Sequence, residues 1–273
     1  MCRVLGMAPS RYYEWQREQQ SARAREEAEL LVSIRRIFAL YRGRYGAPRV
    51  HDQLRREGVR VSRKRVARLM REAGLRAKGR RKYKATTDSN HAQPVAPNLL
   101  QRDFHAERPD AVWVSDITYI WTRQGWMYLA VILDLYSRRV VGWSLAERMT
   151  AALVCNALSA AVRLRRPKPG LVFHSDRGSQ YASHAFHRRL WRYRMRQSMS
   201  RKGDCWDNAV AESFFATLKK ELIRDRVIET RDAAHAEVFE YIEVFYNRQR
   251  AHSLLGYETP HAFEHCFEKR NAA

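Results

Sequence analysis

Nine residues near the middle of the chain, Val112-Trp113-Val114-Ser115-Asp116-Ile117-Thr118-Tyr119-Ile120, limit the fold more than any other stretch. Their Val, Ile, Tyr and Trp side chains predict a buried strand. One carboxylate, Asp116, stands in the middle of it. A carboxylate there is costly unless something compensates it, and a bound cation is the usual compensation. Two more carboxylates sit where they can complete such a site. Asp176 follows the apolar run Leu171-Val172-Phe173 and precedes Arg177-Gly178, where a strand gives way to a turn. Glu212 lies just inside a predicted helix, in Asp207-Asn208-Ala209-Val210-Ala211-Glu212-Ser213-Phe214-Phe215.

The elements around these residues follow a definite order. Strands are predicted at 112–121, 126–135 and 139–145, and the short turns between them suit antiparallel hairpins. A helix over 151–164 is broken by Pro167-Lys168-Pro169-Gly170 before a strand that ends at Asp176. A helix over 183–193, a short strand over 195–199 and a loop over 200–206 lead to the Glu212 helix. A helix through 233–247 and a final short one close the chain. Three antiparallel strands, then strands alternating with helices, predict an α/β fold of the ribonuclease H-like class. Asp134, at the end of an apolar strand, is expected to hold the turn into Ser137-Arg138, and His174 to be a core or substrate-contacting residue rather than a ligand.

Three carboxylates on separate elements suit two-metal phosphoryl transfer. Mg²⁺ or Mn²⁺ takes oxygen ligands, and Mg²⁺ keeps several waters, so few protein ligands suffice. Two ions about 3.5–4 Å apart activate the nucleophile and stabilise the leaving oxygen. Asp116 would bridge them, while Asp176 and Glu212 would each hold one. Lys219, two helical turns past Glu212, is expected about 10 Å further along the same face, placed to grip a DNA phosphate. Each residue also has a plainer role open to it. Asp176 can be a turn residue, Glu212 a solvated helix residue, and Lys219 its charge-balancing neighbour.

The charge balance bears on the substrate. The 273 residues carry 51 Lys and Arg against 29 Asp and Glu, a net charge of +22 that favours polyanions. Residues 1–100 hold 24 of the basic groups and 9 of the acidic ones, so the first third is the stronger candidate for gripping phosphate. Residues 1–30 look helical and polar. Residues 31–84 predict a helix-turn-helix region: an apolar stripe from Leu31 to Tyr41, a helix ending at Gly58, and a Ser62-capped helix over 63–73 carrying Arg63, Lys64, Arg65 and Arg68. A small helical bundle with a solvated basic face is the alternative. The run Lys78, Arg80, Arg81, Lys82 is expected either to lie along a DNA backbone or to be plain disordered linker, and leads into a linker over 85–110. The catalytic core is then assigned to 111–230 and a helical extension to 231–273. No run approaches the ~18–20 apolar residues of a spanning helix, and no signal peptide is evident. Four scattered cysteines, with no zinc spacing, predict reduced thiols in a cytoplasmic protein with no membrane partner.

Longer motifs carry a resemblance. Trp113-Val114-Ser115-Asp116-Ile117-Thr118-Tyr119, His174-Ser175-Asp176-Arg177-Gly178-Ser179-Gln180-Tyr181, and the block from Gly203 to Phe215 with Leu218-Lys219 closely resemble bacterial insertion-sequence transposases of the IS-three family, second reading frame. Their catalytic part is similar to the retroviral integrase core. The 35 residues between Asp176 and Glu212, and the tail Tyr246-Asn247-Arg248 through Glu258-Thr259-Pro260, fit the same family pattern. The resemblance implies an Asp116–Asp176–Glu212 triad holding two Mg²⁺ or Mn²⁺ ions, with Lys219 as the accompanying basic residue. It implies water cleaving at the element's end and the freed 3′-hydroxyl joining another DNA. It also implies action on terminal repeats and target DNA, a multimer on paired ends, and fusion or pairing with an upstream-frame protein in a bacterial, nucleoid-associated setting. A ribonuclease H-like nuclease and a catalytically inactive DNA-binding regulator are the rival functions.

Overall fold

A computed structural model describes residues 8, 10, 11, 13, 22–77, 95–201, 205–223 and 227–272, in two compact units, Met1–Gly79 and Arg80–Ala273. The first unit is three helices: α1 (Ala22–Leu40), α2 (Ala47–Arg56) and α3 (Arg63–Glu72). Ile34, Ile37, Val50, Leu54 and Val66 are fully buried between them. α1 runs without a break through residues 30 and 31, where the sequence suggests a segment boundary, because Leu30 continues the buried stripe of Ile34 and Ile37. Ser62 caps α3 as expected, its Oγ accepting from Arg65 N at 3.2 Å. After α2 and α3 the chain turns at Gly58 and Gly74, with φ of 82° and 68°, a region glycine enters without steric penalty.

The second unit is built on a five-stranded sheet of order β3-β2-β1-β4-β5. β1 (Val112–Thr122), β2 (Gly125–Asp134) and β3 (Val140–Ala146) are antiparallel neighbours. β4 (Val172–Ser175) runs parallel to β1, and β5 (Arg196–Met199) parallel to β4. The strand bearing Asp116 is therefore the middle strand of the sheet.

α4 (Ala151–Arg165) packs on β3 and β2, and α6 (His184–Arg192) follows the single turn α5 (Ser179–Ala182). Trp113, Ile132, Leu158, Phe173, Tyr181 and Phe186 join in the core on this side. The approach is close at Gly142, where a Cβ would meet Ala157 O and the Ala161 Cβ at 2.6 Å, so glycine sets the helix–sheet distance.

α7 (Ala209–Leu218) packs against β1 and β2 and runs on through a wider π-helical turn, Lys219–Ile223. α8 (Arg231–Phe239) continues the same way into Glu240–Tyr246, and α9 (Pro260–Ala272) ends the chain. This part is tied to the sheet by polar contacts. Asn247 pairs both backbone groups of Val140 at 3.0 Å. Glu264, 1% exposed, meets Arg139 at 3.0 Å and also Arg165. The ribonuclease H-like architecture expected from the element order is the one observed.

Candidate active site

Parallel pairing sets two carboxylates side by side. Ser115 and Ser175 are register partners across β1 and β4, and Asp116 and Asp176 are the residues that follow them. Asp116 stays in β1 with Ile117 N donating to its Oδ1 at 2.7 Å. Asp176 opens the turn after β4, where its Oδ1 accepts from Gly178 N at 3.0 Å. A Cβ on Gly178 would sit 3.1 Å from that oxygen, so the turn is tight. Glu212 stands in the first turn of α7. The start of that helix is pinned to β1 by Asn208, whose Nδ2 donates to Ser115 O at 3.1 Å.

The three carboxylates lie within each other's fields. Burial pushes Asp116 well above the ordinary carboxylate range, and the charges of Asp176 and Glu212 push it further. Glu212 is raised by burial and by Asp176. The buried Tyr181 phenol, which shares a 2.8 Å hydrogen bond with Ser115 Oγ, is raised by burial and by Asp116 and Asp176. Lys219 is lowered by burial, with Asp116 pulling the other way. Its Nζ lies 4.5 Å from the Tyr119 ring centroid. The sequence places Lys219 as a regular helical neighbour two turns beyond Glu212. The helix widens at that residue instead, and the ammonium turns onto the aromatic face of β1.

The donors have the chemistry of a hard divalent cation site: oxygen only, from three elements. Glu212 has no hydrogen bond or ion pair among the described residues, and Asp116 accepts only the Ile117 amide. Among the described residues, no group of three or more His, Cys, Asp or Glu side chains stands close enough to form a ligand shell.

A second layer of residues holds this arrangement. His174 is fully buried, its ring nitrogens 2.8 Å from Ser198 Oγ and 3.2 Å from Ser200 Oγ, and burial lowers its pKa to about 4. It is a neutral core residue, one of the two roles expected for it. Asp134 accepts from Ser137 N at 2.9 Å and from Asp110 N at 2.7 Å, as its turn-holding role requires. Sequence reasoning missed Asp207. It is fully buried just before α7 and accepts from Arg201, Arg102 Nε and Asn98 Nδ2 at 2.9–3.0 Å, which holds its pKa far below normal. Its sequence signals were a place two residues before a helix and within the block from Gly203 to Phe215.

Residues 106–205 match the family described as integrase core domain, residues 193–260 match a second family of that description, and residues 24–83 match the HTH-like domain family. Transposase InsF for insertion sequence IS3A of Escherichia coli strain K12 is 44% identical over 266 residues, 97% of this chain and 92% of that protein. The chain belongs to the IS3 transposase family. An uncharacterised 31 kDa protein of insertion element IS600 from Shigella sonnei is also 44% identical, over 272 residues and the whole of both chains. In fold, this IS3-family transposase is similar to a chain of a simian T-cell lymphotropic virus intasome solved with PP2A regulatory subunit B56 gamma. The TM-score is 0.50 at 14% identity, over 84% of this chain and 73% of that one.

The N-terminal unit of the transposase divides the basic residues expected to meet DNA. Arg63 and Lys64 are exposed and form no ion pair among the described residues. Arg65 lies 3.4 Å from Glu26 and 3.5 Å from Glu27, and Arg68 lies 2.6 Å from Glu27 and 3.0 Å from Glu72. These two arginines tie α3 to α1, a contact between residues some forty positions apart that helical periodicity cannot reveal. Lys78, Arg80, Arg81 and Lys82 lie outside the described residues. Among the described residues, no helix is long and apolar enough to cross a membrane.

Proposed function

We propose that this IS3-family transposase cleaves DNA at the ends of its insertion sequence and joins the freed 3′-hydroxyl to target DNA. Asp116, Asp176 and Glu212 act as the catalytic, metal-holding residues. The observation that carries the proposal is the convergence of three carboxylates from β1, the β4 turn and α7: Asp116 and Glu212 are both raised by burial and by the charge of Asp176. A raised affinity for protons is also a raised affinity for cations, and oxygen donors select Mg²⁺ or Mn²⁺. Two bound ions would supply an activated nucleophile and a stabilised leaving oxygen.

The chain's own side chains do the positioning. Asn208 and Asp207 hold the start of α7 so that Glu212 faces β1. Lys219 presents a cation beside Asp116, suited to a phosphate of the bound strand. Arg63 and Lys64 offer phosphate contacts in residues 31–84, the proposed DNA-binding region, with Lys78, Arg80, Arg81 and Lys82 extending it. Residues 85–110 serve as linker, 111–230 as core and 231–273 as extension. Two DNA ends must be held at once, so a multimer on paired ends is part of the proposal, and pairing with an upstream-frame protein is compatible with it.

The test is cleavage and joining on short duplexes carrying the element's ends, with Mg²⁺ or Mn²⁺, beside Glu212→Gln. Joined products that vanish without metal and in the variant support the proposal. Cleavage without joining would favour a nuclease, and binding without chemistry in either protein a regulator. A lone monomer on paired ends by light scattering would remove the multimer.

A further inference from the structure

The tip of the β1–β2 hairpin presents aromatic surface where strand ends are usually polar. Trp121 and Trp126 are cross-strand partners, each 46% exposed, with ring centroids 4.8 Å apart at 67°. Tyr119 meets Trp126 edge-on at 5.1 Å, and the Lys219 ammonium lies 4.5 Å from the Tyr119 ring. An unbroken row therefore leads from Asp116, whose charge acts on Lys219, to two half-open indoles. The tip is also held in place. Thr122 bridges to Ile228, Arg123 N donates to Ile228 O at 3.0 Å, and Arg123 pairs with Glu229 at 2.7 Å.

We propose that Trp121 and Trp126 form a stacking platform for an unpaired nucleobase of the strand that passes Lys219. This rests on the DNA-joining function above and adds the step of holding the strand open beside the carboxylates. Indole faces bind any base by stacking, and a neighbouring cation takes the phosphate, so recognition is of an unpaired base rather than of a sequence. Both indoles stay about half open to solvent. The net charge of +22 disfavours a second copy of this chain as the occupant and favours a polyanion. A cross-strand Trp pair also stabilises a hairpin by itself. The test therefore reads base stacking, not stability.

The probes are a blunt duplex and a matched duplex with a short unpaired 3′ overhang carrying 2-aminopurine, both without divalent metal. The whole chain is expected to bind the overhang about tenfold more tightly than the blunt duplex and to quench the 2-aminopurine. Trp121→Ala and Trp126→Ala are expected to lose both effects while binding blunt duplex within about twofold of the parent, and Trp126→Phe to keep most of the preference. An unchanged preference and quench in both Ala variants overturns the platform. So does a change confined to oligomeric mass by light scattering, which would make the face an interface between copies. Absence of duplex binding in every protein would instead sink the DNA-joining function on which the platform stands.

Discussion

The helix that carries Glu212 is anchored at its far end by a buried ion pair, and breaking that pair should unsettle the site. Glu221, 2% exposed, accepts from Arg250 Nε at 2.9 Å, from Arg250 Nη2 at 3.0 Å and from the Tyr241 hydroxyl at 2.9 Å. The Arg250 side chain is 6% exposed. Glu221→Gln or Arg250→Met leaves one charge in a low-dielectric interior without its partner, a loss of about 3–5 kcal/mol. For a domain of roughly 150–250 residues each kcal/mol is worth about 2–4 °C, so the midpoint should fall by roughly 6–20 °C.

Replacing the whole group by apolar residues, Glu221→Leu with Arg250→Met and Tyr241→Phe, removes the uncompensated charge and should recover most of that loss. Urea and thermal denaturation of the three variants give the energies. Amide exchange over Ala209–Ile223 tells whether the damage reaches the Glu212 helix. A single variant that costs under about 1 kcal/mol, or exchange that speeds up everywhere except α7, would refute the anchoring argument.

Four further outcomes follow from the same structure. Asp116→Asn should abolish cleavage yet raise the stability of metal-free protein at neutral pH, since it removes a carboxylate whose ionisation burial and Asp176 oppose; urea midpoints with and without Mg²⁺ check this. His174, near 4 when folded against an ordinary 6.5, gives stability that is full above about pH 6.5 and erodes as pH falls towards 4. The stability gap between wild type and His174→Asn should therefore shrink by about 3 kcal/mol between pH 7 and pH 4 in denaturation curves. Neutralising Arg63 or Lys64 should flatten the salt dependence of DNA binding by about one unit of slope for each phosphate that the side chain no longer neutralises, measured by anisotropy. Changing Arg68 should loosen α3 from α1 in amide exchange, because Glu26, Glu27 and Glu72 already engage the arginine pair.

Much of the fold was legible because its signals are local. The predicted strand over 112–121 is Val112–Thr122, the helix over 151–164 is Ala151–Arg165, and the helix over 183–193 is His184–Arg192. Periodicity and turn residues act within a few positions of each other, and so do their signatures. The late helix expected over 233–247 instead starts at Arg231 and widens at Glu240–Tyr246, as α7 does at Lys219. An extra residue in a helical turn leaves no mark on an apolar stripe that is buried on several sides.

The candidate site was legible in part, for a related reason. Asp116, Asp176 and Glu212 stood out because each breaks an apolar setting, which a single sequence displays. What fixes them does not. Asp207 gathers Arg201, Arg102 and Asn98, the last two more than a hundred positions away, and Glu221 meets Arg250 twenty-nine positions on. Such pairs consist of ordinary charged residues in an unusually basic chain, and only the folded register tells a buried arginine from an exposed one. Arg65 and Arg68, expected at DNA, make the same point, since their ion pairs to α1 left no mark in the sequence. In a chain of +22 the informative charges are therefore the acidic ones. Buried Asp207, Glu221 and Glu264 each engage arginines, whereas Arg63 and Lys64 stay exposed and form no ion pair among the described residues.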